Sequence, residues 1–215
     1  MTGLYNPASF RVDDAAHLGR IIDATVFGIL LSNGPEGPRA SHVPFLLERQ
    51  AGPHGTLRAH LARVNEHWQG LDGEPALVIF NGPQHYVTPS WYASKAETGR
   101  VVPTWNYVVV HVRGRAHVHQ DRPRLRALVE ALTGRMEAPR AEPWRVDDAP
   151  AEYVERMLDQ IVGVDLPIER LEGKLKVGQN RSRDDRASLA AGLARERPEV
   201  SRALSRLAPA GGDGN

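Results

Sequence analysis

The chain has 215 residues, of which 41% are hydrophobic and 25% charged, with a formal net charge of +1 and no cysteine. That balance belongs to an ordinary soluble globular protein, long enough to bury a core without staples. It excludes disulfides, thiolate metal sites, iron–sulfur clusters and a cysteine nucleophile, and it sets up no global field toward nucleic acid or a membrane.

The opening residues, MTGLYNPASFRVDD, carry no basic-then-apolar leader, and no apolar run approaches the ~20 residues of a membrane helix. The expectation is a cytoplasmic protein with no membrane partner. Asp13 and Asp14 can cap a helix whose apolar face is Ala15, Leu18, Ile21 and Ile22. Residues 25–32 read as a buried strand and 39–48 as its antiparallel partner, with Asn33-Gly34-Pro35 in the turn. Residues 56–62 alternate, with Leu57, Ala59 and Leu61 on one face and Arg58, His60 and Ala62 on the other. Residues 64–71 read as a short helix that packs Trp68 and Leu71, and 75–80 as a strand ending at Asn81-Gly82-Pro83.

Residues 101–119 read as one long strand. Val110, Val112, Gly114, Ala116 and Val118 form its dry face, opposite His111, Arg113, Arg115, His117 and His119. Asp121 caps a helix with Pro123 in its first turn and a stripe of Leu125, Leu128, Val129 and Leu132. A second amphipathic helix carries Tyr153, Val154, Met157, Leu158 and Ile161, and residues 161–177 return to strand-like alternation. Ser182 starts a helix that Pro198 breaks, a last helix runs through Leu207, and residues 209–215 form a frayed tail. Consecutive hairpin-like pairs predict an α+β fold, mainly an antiparallel sheet or barrel with helices at its edges. One domain is expected over residues 1–181, followed by a helical extension and tail over 182–215.

The densest chemical signal lies in residues 77–107, where Tyr86, Trp91, Tyr92, Trp105 and Tyr107 crowd between two apolar strands. Such a cluster builds either a core or a pocket for a flat ligand. His60, Arg63 and Asn65 follow a strand and precede the expected helix. Donors placed there suit a phosphate, although an ordinary turn capped by Asn65 explains them equally. Lys174 and Lys176 share a strand face ahead of Gln179 and Asn180. They form either a phosphate or heterocycle contact or a solvated face and its turn. His111, His117 and His119 share a face with Arg113 and Arg115, which repel a cation, so no metal site is expected. There is no Walker loop, GxGxxG, HExxH or GxSxG, and no catalytic residue is assigned. Residues 188–204 are reminiscent of a repressor recognition helix, but the gap from Gly192 to Val200 is too long for a helix-turn-helix. With the near-neutral charge, this argues against direct DNA binding.

Several strings occur together and in order: MTGLYNPASF, ASHVPFLL, AHLARVNEHW, IFNGPQHYVTPSWYASK, VVPTWNY, IVG and GKLKVGQNRSRDDR. On them the chain resembles the PaiB family, FMN-binding negative transcriptional regulators. The resemblance implies a flavin-reductase-like split barrel with peripheral helices, assembled as a homodimer with FMN in a groove between subunits. It implies that a strand carrying Ser41, His42, Val43 and Pro44 runs beside the ring system, and that His60, Arg63 and Asn65 meet the phosphate. Trp91, Trp105 or Tyr107 would flank the isoalloxazine, with Lys174, Gln179 and Asn180 as further cofactor contacts. The alternative is a flavin-dependent oxidoreductase acting on a small molecule through the same pocket.

Overall fold

The computed structural model describes residues 3–207; the expected frayed tail, residues 209–215, lies outside the described residues. The elements in chain order are β1 (Arg11–Val12), α1 (Ala15–Thr25), β2 (Phe27–Gly34), β3 (Gly37–Pro44), β4 (Leu46–Glu48), β5 (Thr56–Ala62), β6 (Pro75–Val87), α2 (Ser94–Thr98), β7 (Thr104–Arg115), β8 (His117–His119), α3 (Arg122–Glu137), α4 (Ala151–Leu158), β9 (Ile161–Pro167), β10 (Arg170–Lys176), α5 (Arg183–Glu196) and α6 (Pro198–Leu207). The described chain divides into two compact units. One holds residues 3–24, 81–110 and 172–207, the other residues 25–80 and 111–171. This division falls elsewhere than the 181/182 boundary read from the sequence.

In the first unit the strands lie in the order β1–β10–β7–β6. Asp14 Oδ1 accepts from the Ala16 amide at 2.9 Å and starts α1, whose Leu18, Ile21 and Ile22 are fully buried. Leu18 rests on Gly173 of β10, where any Cβ would overlap its side chain. Ser182 caps α5, its Oγ accepting from the Asp185 amide. Only Arg197 separates α5 from α6, so the long gap expected there is absent. Proline is accommodated at the first helical position, where the missing N–H has no intrahelical acceptor to lose. The two helices pack Leu189, Leu193, Val200 and Leu204 on Val87, Trp91 and Tyr92. His17 Nε2 bonds the Leu207 carbonyl at 2.8 Å and pins the end of α6.

In the second unit β2 pairs with β3 on one side and β6 on the other, while a second sheet has the order β4–β5–β9–β8. Leu57, Ala59 and Leu61 are fully buried, as the alternation requires. Phe45 and Phe80 meet edge to face at 5.6 Å over Gly28, where a Cβ would stand 3.1 Å from both rings. Asp121 caps α3, its Oδ1 accepting from the Arg124 amide at 2.9 Å. Beside it Leu125, Val146, Val154 and Leu158 form a satellite core.

Four expected elements differ. The strand over 39–48 breaks at Phe45, whose amide turns to the Val26 carbonyl, so β3 pairs with β2 and β4 with β5. The strand over 75–80 continues through Gly82 and Pro83 to Val87. β2 pairs only with residues 76–79 of it, and proline is tolerated where one edge is open. The strand over 101–119 is interrupted at Ala116, whose amide and carbonyl bond Glu74 and Gly73. The helix over 64–71 is a single 3-10 turn, Glu66–Trp68.

Candidate functional site

Strand β3 and the turn after β5 meet in one polar corner of the second unit. Ser41 is buried on β3, and its Oγ accepts from Asn65 Nδ2 at 3.0 Å. The same oxygen lies 2.8 Å from His67 Nδ1, and Ser32 Oγ of β2 lies 2.9 Å from His67 Nε2. Asn65 Oδ1 accepts from the His67 amide, capping the 3-10 turn. Burial first, and the Arg39 charge second, hold the His67 imidazole below its usual pKa. A neutral ring donates through one nitrogen and accepts through the other, so it links the two serines. Arg39 donates to the Glu66 carbonyl at 3.3 Å and ties β3 to the turn a second time.

The corner holds a strand edge in place. Gly34 and Gly37 flank a two-residue turn, which makes them a hydrogen-bonded pair. Alternation then aims the backbone of residues 39, 41 and 43 at β2 and that of residues 38, 40, 42 and 44 outward. Pro38 and Pro44 have no N–H, so the outward donors are those of Ala40 and His42. No strand pairs with that edge among the described residues. Beside it the exposed Phe27 ring stacks on His42 at 6.5 Å and 29°, a flat aromatic surface. Ser41 is buried, and among the described residues there is no cluster of three metal-ligating side chains.

The other sequence candidates are dispersed. His60 lies on the outer face of β5, opposite Gly163 of β9, which in turn faces His119 of β8. Asp165 on that same face takes a hydrogen bond from Arg124 of α3. Burial lowers the His60 pKa, so it supplies no positive charge at neutral pH. Arg63 donates to the Asp159 carbonyl at 2.6 Å, Gln120 Oε1 at 2.7 Å and the Ile161 carbonyl at 3.2 Å. Three of its five donors are thus engaged, two on the chain entering β9 and one on Gln120 after β8. The helix amino terminus that would have aided a phosphate there is reduced to one short turn, with little aligned dipole.

In the first unit the aromatic run splits by role. Trp91 is 6% exposed, packed on Gly192 and donating to Glu196 Oε1 at 3.0 Å; it is core, not a ring-stacking surface. Trp105 is half exposed, meets Tyr86 edge to face at 6.3 Å and donates to Gln84 Oε1. Tyr107 lies against Lys174, whose Nζ sits 5.3 Å from that ring, 4.8 Å from the Tyr5 ring and 2.9 Å from the Tyr5 carbonyl. Lys174 is buried, and its charge is already surrounded. The Gln179 amide accepts from the Val177 N–H and donates to the Leu175 carbonyl, which leaves exposed Asn180 as the free amide of that turn. Sequence reading missed Ser32, Arg39 and His67.

Residues 4–170 match the model of a family described as "Putative FMN-binding domain". The chain belongs to that family. It is 34% identical to an uncharacterised protein of Emericella nidulans over 187 residues, covering 72% of this chain and 74% of that one. It is 28% identical to protease synthase and sporulation protein PAI 2 of Bacillus subtilis, covering 85% of each, and PaiB-family membership follows. Among solved structures it is similar to the FAD and heme binding protein from Mycobacterium smegmatis, with TM-score 0.59, 19% identity, and 85% of this chain and 80% of that one covered. The flavocytochrome Anf3 from Azotobacter vinelandii gives TM-score 0.59 at 16% identity, over 83% and 75%. These likenesses establish the fold, the α+β split barrel of antiparallel strands with peripheral helices. Among the described residues no helix is long and apolar enough to cross a membrane.

Proposed function

We propose that the chain binds FMN at the outer edge of β3 and acts as a cytoplasmic, homodimeric regulator rather than a turnover enzyme. The observation that carries this reading is the family match over residues 4–170, which includes the whole β3 corner. The residues there fit a phosphorylated planar guest. Ala40 and His42 offer outward amide donors on a strand that the Ser41–His67–Ser32 bridge keeps rigid. Val43 and Pro44 continue that strand toward its end. Phe27 and His42 offer a stacking surface, and Arg39 a cation beside Asn65. The charge for the phosphate comes from Arg39 and the remaining donors of Arg63; His60 supports the sheet behind them. Trp105, Tyr107 and Asn180 are kept as candidate contacts of the first unit.

When bound, FMN supplies a one- or two-electron carrier, and the protein supplies position and electrostatics. The regulatory role rests on the resemblance of the motif strings to the PaiB family, with which the likeness to a sporulation protein agrees. Titration of flavin fluorescence tests binding. Saturable quenching with one FMN per chain is expected, and Ser41→Ala should weaken it. A colourless preparation that ignores added FMN would refute the reading. Light scattering at twice the chain mass tests the dimer. Anaerobic mixing with NADH or NADPH separates regulator from oxidoreductase, since bleaching at a catalytic rate belongs to the latter.

A further inference from the structure

A second opening lies wholly within the first unit, under the α5–α6 pair. This cavity of about 310 Å³ is walled by Val108, Leu175, Leu189, Leu193 and Leu204, with His85 in its lining. That volume lies in the range of small-molecule pockets. His85 is 5% exposed, and neither ring nitrogen has a hydrogen-bond partner among the described residues. A buried donor or acceptor left unmade is destabilising, and native proteins rarely leave one without a reason. Its aromatic neighbour, the Trp91 ring at 6.3 Å, spends its N–H on Glu196. Burial, and then the Arg197 charge, keep the imidazole below its usual pKa. It therefore presents one N–H and one lone pair rather than a charge.

We propose that this cavity is a small-molecule site separate from the flavin corner, taking an uncharged one- or two-ring guest whose single hydroxyl or N–H pairs with His85. The leucine walls supply the apolar area and the imidazole fixes orientation, the usual division of labour in such sites. The lining is mainly aliphatic, with Gln179, Arg186, Ser201 and Ser205 as its other polar members, and it offers too little polar surface for a ribityl chain and a phosphate together. An occupant would brace α5 against α6, because both helices contribute wall residues.

The test is equilibrium dialysis of the full chain against 2-naphthol and, separately, naphthalene. The wild type should hold 2-naphthol about tenfold more tightly, the worth of one satisfied buried partner. His85→Leu should bring the two affinities within about threefold of each other. Ala190 is an exposed residue of α5 in the lining, and Ala190→Trp should abolish retention of both compounds while leaving the FMN titration unchanged. The proposal is overturned if the wild type retains neither compound, if Ala190→Trp retains both, or if His85→Leu keeps the preference. Displacement of 2-naphthol by FMN would overturn the separateness of the site.

Discussion

Replacing Gly192 by alanine sets two physical effects against each other. In the interior of α5 the change should favour the helix by about 1 kcal/mol, the usual difference between the two residues. The new methyl would, however, stand 2.6 Å from Cγ, 2.7 Å from Cδ1 and 2.8 Å from Cδ2 of Trp91. The ring cannot retreat freely: it is buried among Val87, Leu189 and Leu193, and its Nε1–H is held by Glu196. Overpacking of this kind costs about 1–3 kcal/mol, and losing the indole hydrogen bond adds about 1 kcal/mol. The clash wins, for a net loss of about 2 kcal/mol. Gly134 in α3 is the control, because nothing lies within 4 Å of its would-be Cβ. Gly134→Ala should stabilise by about 1 kcal/mol. Followed by circular dichroism, Gly192→Ala should melt about 4–8 °C below the wild type and Gly134→Ala about 2–4 °C above it. If Gly192→Ala melts at or above the wild type, the seating of Trp91 on α5 is wrong.

Three further outcomes are expected. A Cβ at Gly114 would overlap the Pro167 carbonyl, which is backbone and cannot swing aside; Gly114→Ala should cost about 3 kcal/mol or more, read as a lower urea midpoint, and an unchanged midpoint would count against the packing of β7 on β9. Arg63→Ala removes three hydrogen bonds to residues 120, 159 and 161 and should lower stability by about 2 kcal/mol, which denaturant titration of the flavin-free protein isolates from any effect on FMN. Stability should also fall as the medium is acidified below neutrality. His60, His67, His85 and His119 all have folded pKa values lowered from 6.5, each mainly by burial, so the unfolded chain binds more protons in that range. Their contribution is complete above pH 6.5 and is lost progressively below it; a urea midpoint that is flat or rises from pH 7.5 to 5.5 would contradict their burial.

Where one face of a strand is buried, its period is written in the residues, so Leu57, Ala59 and Leu61 could be read directly. The break at Ala116 could not, because the groups that bond its backbone, Gly73 and Glu74, lie far back in the chain. The turn residues Gly82 and Pro83 mark a strand end only when both edges are paired, which sequence cannot reveal. Trp91 was legible as core or pocket wall, and Gly192, a distant residue on another element, decides between them. His67 stands in no pattern that marks it as buried, because its burial depends on two serines brought by β2 and β3. The motif strings made the β3 corner legible as a region, but not its hydrogen-bonding logic.

The prolines at positions 38 and 44 have a consequence for how molecules coexist at high concentration. An unpaired strand border invites neighbouring chains to add on, the first step toward fibrils. Proline at each end of the outward row denies a recruit any continuous ladder, so a foreign strand cannot propagate there. Replacing both prolines should leave the hairpin folded yet make the protein prone to self-association on storage.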